Sequence, residues 1–316
     1  MQEAFARPKI VFSACLSFEP VRYNAQVVRD EFCEKLSKHV EVVKVCPEVG
    51  AGLGVPRPPI SIVFRNDEKH LVQASTNRDV TDALKKFSED FLNQLEEIDG
   101  FVLKKKSPSC AISDAVAYRI TRGEKTVLKT FGIFAELAME KFPKAAFIDE
   151  GRLKNQWLRE HFLTKVFSSA DLRVRLLNEQ TKSGLVRFHE SYKYLLMAHS
   201  PSLLRQLGKL VSNLKVAPIK EIVSLYGELF IRAISIKPTL NKHYNVLQHL
   251  YSHLKERLKE KERKNLLRLL EEFSNGKISL KTIREVFRVY VLNFEIEYLS
   301  NQRYLNPYPR ELESEK

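Results

Sequence analysis

Short apolar runs alternate with amphipathic stretches over the first 150 residues, and helical periodicity runs almost unbroken through the rest. The runs at 9–16, 40–45, 101–103 and 145–148 are of strand length. Between them, 26–39 and 80–98 carry helical spacing; the second has Asp79 or Thr81 as N-cap and a break at Asp99 and Gly100. Strands alternating with helices predict βαβ units, a mostly parallel sheet and a Rossmann-like α/β domain. Beyond residue 150 the strand signal fades. Segments 184–215, 219–236, 242–273 and 278–299 read as helices, with Ser200 and Pro201 as an N-cap and first-turn pair. Asn275 and Gly276 mark a break near Ser274, and the tail at 304–310 reads as extended. The expected organisation is an α/β domain at 1–150, a helical connector at 151–183 and an all-α domain at 184–316.

Charge sharpens this division. The 316 residues suffice for two domains with cores of their own. Residues 1–150 hold 22 basic and 22 acidic side chains, whereas 151–316 hold 30 basic against 17 acidic. The whole excess of +13 therefore lies in the helical half. Such an excess attracts polyanions, and nucleic acid is the default soluble partner. No apolar run reaches the roughly 18 residues of a membrane helix. The first nine residues lack a signal-peptide core, and four cysteines without paired spacing argue against a secreted disulfide scaffold. A cytoplasmic protein with no membrane partner is expected.

Three of the cysteines, Cys15, Cys46 and Cys110, stand just after predicted strands. Ligands of parallel sheets sit beyond the carboxyl ends of the strands, so the topology brings all three to one edge. No Cys-x-x-Cys occurs, which argues against a zinc ribbon. Three thiolates from three loops can hold an iron–sulfur cluster and leave one iron without a protein ligand. Cys33, inside a predicted helix, reads as structural.

Glu48, two residues after Cys46, serves either as a general base or as an acceptor for loop amides. Ser107 either caps the turn before Pro108 or bonds the base and relays a proton; Ser109 reads as structural. Lys104, Lys105 and Lys106 at a strand end face solvent or RNA phosphate. Arg57, framed by Pro56 and Pro58, serves a salt bridge or the substrate. Gly50, Gly52 and Gly54 form no dinucleotide fingerprint. In the helical half, His189 and Lys193 share a helix face by i,i+4 spacing. With Arg187, Arg205 and Lys209 they make a candidate phosphate-contacting surface. The mixed-sign run at 255–264 reads as a solvated helix face.

These loops resemble a known family. Ser13-Ala-Cys-Leu16 with Val21-Arg-Tyr23, Cys46-Pro-Glu-Val49 running into 52–59, Asp79-Val-Thr81, and the stretch from Leu103 to Cys110 resemble the TudS-type thiouracil desulfurases over about the first 150 residues. The second half is similar to the YbgA-type domain through Phe188 and His189, the stretch 193–201, Leu207 to Leu210, the stretch 243–249 and the closing 304–309. Fused, the two halves resemble RudS-type tRNA 4-thiouridine desulfidases. The resemblance implies a 4Fe–4S cluster on Cys15, Cys46 and Cys110, whose unligated iron binds the sulfur to be removed. It also implies chemical roles for Glu48 and Ser107, non-redox release of hydrogen sulfide, and thiolated tRNA as partner. Desulfuration of free thiouracil or thionucleosides, and RNA binding around a structural or redox-sensing metal site, are the other readings. The chain departs from the family pattern at Ala111, where Gly is usual, and at Tyr251-Ser-His253, where Gly-Tyr-Phe is usual. Neither departure touches a proposed ligand.

Overall fold

The computed structural model describes residues 5–73, 75–121, 124–215 and 217–313; residues 1–4, part of the stretch read for a signal peptide, lie outside these. The chain divides into two compact units, one of Arg7–Phe162 and one from Leu163 onward that also takes in Phe5 and Ala6. The segment 151–183 is thus shared between the units, with the division after Phe162.

The first unit runs β1 (Lys9–Ser13), α1 (Glu31–Ser37), β2 (Glu41–Val45), α2 (Pro47–Gly50), β3 (Ile60–Arg65), β4 (Glu68–Gln73), β5 (Arg78–Asp79), α3 (Thr81–Asn93), β6 (Gly100–Leu103), β7 (Ala115–Thr121), β8 (Glu124–Thr130), α4 (Ile133–Lys141) and β9 (Ala146–Asp149). The four strands expected from the apolar runs form one parallel sheet in the order β2-β1-β6-β9. Val11 stands beside Val43 on one side and Phe101 on the other. Ile10, Val11 and Phe12 of β1 and Phe101, Val102 and Leu103 of β6 are wholly buried, as central strands covered on both faces must be. Each such side chain contributes about 1.5–3 kcal/mol of apolar burial.

The five-stranded sheet β5-β4-β3-β7-β8 has no counterpart in the expectation. Its strands, antiparallel except where β3 runs parallel to β7, interrupt the parallel fold twice, between β2 and α3 and between β6 and α4. The signal for the β3–β4 hairpin was a two-residue turn, Asn66 and Asp67, both at positive φ as the matching hairpin turn demands. Two expected helices are shorter than their periodicity. Only Glu31–Ser37 of 26–39 is helical, because the Asp30 carboxylate caps the amide of Cys33 while Val28 pairs its amide with the Cys15 carbonyl. The helix expected at 80–98 ends at Asn93, and Glu97 turns the chain through positive φ into β6.

The division between units falls within α5 (Gln156–Leu172), which a π turn at Arg173–Leu177 continues. Then come α6 (Lys182–His199), α7 (Pro201–Ser212), α8 (Ile219–Ile234), α9 (Leu240–Leu254), α10 (Glu260–Ser274), α11 (Leu280–Asn293) and α12 (Glu297–Ser300). The Ser200 hydroxyl caps α7 as expected. The single helix expected at 242–273 is two, because a new cap forms where the Lys259 amide donates to Glu262. That break lets Leu254, Leu258 and Leu266 all reach one core with Tyr192, Tyr226, Phe230 and Phe287. The α/β unit and the all-α unit are the fold class the periodicity predicts. Among the described residues no helix is long and apolar enough to cross a membrane.

Candidate active site

The parallel sheet delivers four strand ends to one edge. Cys15 follows β1, Cys46 caps α2 directly after β2, and Cys110 lies in the loop after β6. β9 ends in Asp149 and leads into Glu150, which is buried. All three cysteines, with Glu48, Arg57, Lys104, Lys105, Lys106, Ser107 and Ser109, line one cavity of about 380 Å3. The four cysteines form no disulfide. Cys33 lies in the core, away from this cavity, as expected.

Burial pushes the Cys15 thiol up to about 12, helped by the neighbouring Cys46. Cys110 is raised chiefly by burial, against a hydrogen bond with Ser13, and then by Cys15, Cys46 and Glu48. Burial likewise raises Cys46. Each thiol therefore keeps its proton until a cation stands among them, and coordination is what would release it. Among the described residues no three His, Cys, Asp or Glu form a group suited to a single metal ion. A cluster makes a different demand: one thiolate for each ligated iron, from sulfurs set apart around a shared space.

Glu48 is held from two sides. Its Oε2 accepts from Arg57 Nε at 2.9 Å and Nη2 at 2.7 Å. Its Oε1 accepts from the Ser109 hydroxyl at 2.8 Å. Two further Arg57 donors go to the carbonyls of Gly54 and Val21, at 3.1 and 3.0 Å. Of the two roles open to Arg57, it fills the salt bridge. As a buried side chain with four of its five N–H donors on Glu48, Gly54 and Val21, it is corrected from an RNA contact to a holder of Glu48.

The two serines reverse the expectation. Ser109, read as structural, is the direct partner of Glu48. Ser107 accepts from the amides of Ser109 and Cys110 at 3.3 and 3.1 Å, which is the turn-capping role. Its hydroxyl also lies 3.0 Å from Ser109 Oγ. Since the Ser109 proton points to Glu48, Ser107 is the donor in that pair, one hydroxyl behind the expected place. Both serines lie in the turn before Cys110, where their spacing does not decide which hydroxyl meets the glutamate.

Lys104 is not a free surface cation, because its ammonium pairs with Glu150, whose other oxygen accepts the Lys105 amide at 2.9 Å. Glu150 escaped the sequence reading, although an acid just past a parallel strand end was its signal. Lys106 is exposed, with its backbone amide on Asp114 at 3.0 Å.

In the helical unit the five residues grouped as one phosphate surface do not share a face. His189 turns inward, its Nδ1 3.1 Å from the Tyr226 hydroxyl, and burial with the Lys193 charge holds its imidazole down at about 4. It is thus a neutral packing group rather than a phosphate contact. Arg187, two residues earlier and so on another face of α6, lines a separate cavity with Glu190 and Ser191. Lys193 is exposed on α6, and Arg205 and Lys209 are exposed on α7.

Residues 10–150 match the family model described as 2-thiouracil desulfurase, and residues 193–309 match one described as a protein of unknown function, DUF1722. The chain is similar to the uncharacterized protein YbgA of Escherichia coli K12, 24% identical over 149 residues, spanning 47% of this chain and 88% of that protein. It is similar also to the uncharacterized protein YbbK of Bacillus subtilis 168, 31% identical over 108 residues, spanning 32% of this chain and 72% of that one. A solved structure, that of the 4Fe–4S-dependent thiouracil desulfidase TudS, aligns at 29% identity and TM-score 0.38, covering 46% of this chain and 93% of that chain.

Proposed function

The chain belongs, through its first unit, to the family of YbbK, and from this premise, with the match of residues 10–150 to the 2-thiouracil desulfurase model, we propose that it is a desulfidase converting 4-thiouridine in tRNA to uridine. One observation carries the reading: three unpaired cysteines and a glutamate held between an arginine and a serine line a single cavity at the ends of parallel strands. The donor set fits a 4Fe–4S cluster with Cys15, Cys46 and Cys110 as ligands. Such a cluster would supply an iron without a protein ligand, a soft Lewis acid suited to a thione sulfur.

The chain's own groups supply the proton chemistry. Glu48 takes a proton from water as the water oxygen bonds to C4 of the base. Arg57 holds Oε2, so Oε1 and its serine partner face the reaction. Ser107 and Ser109 form a short line of hydroxyls along which a proton returns to the departing sulfur. The C–S bond breaks, and thiouridine plus water gives uridine plus hydrogen sulfide, with no electron gained or lost. Tyr23, exposed at the cavity with the Arg22 guanidinium 5.4 Å from its ring centre, offers a face on which a pyrimidine can stack. The basic helical unit would hold the tRNA by its phosphates, and the target base would swing out to enter the cavity. Free thiols and an open iron both suit a reducing, cytoplasmic setting.

The enclosure of the cysteines, Glu48 and both serines within the first unit favours a second reading, action on free thiouracil or a thionucleoside. The test is anaerobic reconstitution with iron and sulfide, followed by mass spectrometry of thiolated tRNA nucleosides. Loss of 4-thiouridine with matching sulfide release supports the proposal. Consumption of free thiouracil with tRNA untouched selects the second reading, and inertness toward both sinks the enzyme.

A further inference from the structure

A sulfur leaving carbon gains negative charge, and a cluster on three thiolates is itself anionic, so a cavity for both calls for a fixed cation. Arg57 is engaged by Glu48. Lys104 lines the same cavity and is held differently. Of its three ammonium N–H groups, one goes to Glu150 and one to the Lys105 carbonyl at 3.1 Å. The third has no partner among the described residues and is left for an occupant of the cavity. The pair is largely withdrawn from water, the Lys104 and Glu150 side chains being 18% and 6% exposed. A buried ion pair adds little net stability, so what its cation meets is the better account of its place.

A lysine stem is flexible, and its ammonium wanders unless it is fastened. Here it is fastened from both sides of β6. Glu150 follows β9, which runs in register with β6 as far as Leu103 and Asp149, and its second oxygen accepts the Lys105 amide at 2.9 Å. On the other side the Lys104 amide donates to Ser13 Oγ at 3.0 Å, at the end of β1 and two residues before Cys15. The charges register at that cysteine. Burial and then Cys46 raise the Cys15 thiol, Lys104 lowers it, and Glu150 raises it by less than Lys104 lowers it. We propose, resting on the cluster and desulfidase reading above, that Lys104 is the counter-charge beside Cys15, donating its third N–H to anionic sulfur in the cavity, and that Glu150 is the positioning residue that aims it.

The test is a redox titration, followed by electron paramagnetic resonance, of the anaerobically reconstituted full chain and of Lys104→Met, Lys104→Arg and Glu150→Gln. Removing a cation beside a cluster favours its more oxidised state, and removing an anion favours its more reduced state. Lys104→Met should therefore lower the reduction potential and Glu150→Gln should raise it, while Lys104→Arg stays near the parental value. Lys104→Met should also lose iron to a chelator on the order of tenfold faster. Glu150→Gln strands no buried anion, so it keeps the sign test available if Lys104→Met does not fold. A purely structural pair would lower Tm in both Lys104→Met and Glu150→Gln and leave their potentials at the parental value, or shift both the same way. That result would overturn the proposal. A parent chain that takes up no iron would overturn the cluster reading together with it, whereas sulfide release by a parent chain whose variants keep its potential would overturn this proposal alone.

Discussion

Gly132 lies directly against Ser109: a methyl group in place of its hydrogen would stand 2.4 Å from the Ser109 carbonyl carbon and 2.8 Å from the Cys110 amide. The amide of Gly132 donates to Ala111 at 2.8 Å, so the start of α4 and the Cys110 loop are fastened at their closest point. No side chain can be accommodated there without moving the loop that carries a candidate ligand and the partner of Glu48. Gly132→Ala should cost about 1–3 kcal/mol by overpacking and reduce the iron retained after reconstitution. Calorimetric melting with iron analysis checks this; an unchanged Tm and full iron content would contradict it.

Arg57 and Glu48 form an ion pair with side chains only 4% and 13% exposed. Removing one partner of such a pair strands the other charge, at about 3–5 kcal/mol. Arg57→Met should therefore lower Tm strongly, and adding Glu48→Gln should restore part of the loss. A double-mutant cycle from thermal melts measures the coupling. Strictly additive effects would show that the pair is not energetically joined.

Ser109, not Ser107, touches the Glu48 carboxylate, so their substitution should be unequal. Ser109→Ala should reduce kcat on the order of a hundredfold while leaving cluster absorbance intact, within the usual range for acid–base groups. Ser107→Ala loosens the amides of Ser109 and Cys110 as well, and should lower Tm along with activity. Equal kinetic losses with equal stability would refute this division of labour.

Cysteine-to-serine substitution at Cys15, Cys46 or Cys110 should abolish iron uptake, whereas Cys33→Ser, at a buried position of α1, should retain it. Iron and sulfide determination on anaerobically reconstituted protein decides the matter. Full iron content in any of the first three would remove that residue from the ligand set.

Acid should weaken the helical unit. With its imidazole held down at about 4 by burial, His189 binds fewer protons in the folded chain than in the unfolded one, where it titrates near 6.5. The contribution is complete above about pH 6.5 and is lost progressively as pH falls toward about 4. Burial pushes His243 in the same direction. Thermal melts at pH 4.5 and pH 7 should differ, and His189→Gln should narrow the gap. An identical gap in the variant would assign the pH dependence elsewhere.

By itself the sequence determined the parallel sheet, the helical second half, the charge asymmetry and the strand-end placement of Cys15, Cys46 and Cys110. These are local: an apolar run of strand length or a helical period is written in neighbouring residues, and strand direction carries its loops to one edge. The tertiary structure alone decided the five-stranded sheet and the choice of Ser109 over Ser107. It also turned Arg57 inward and set His189 against Tyr226. Each of these depends on partners far along the chain, such as Glu48 and Ser109, 61 positions apart. Which hydroxyl meets a carboxylate, or whether a guanidinium faces water, is settled by where two loops stop in space, and hydrophobic periodicity contains no term for that distance.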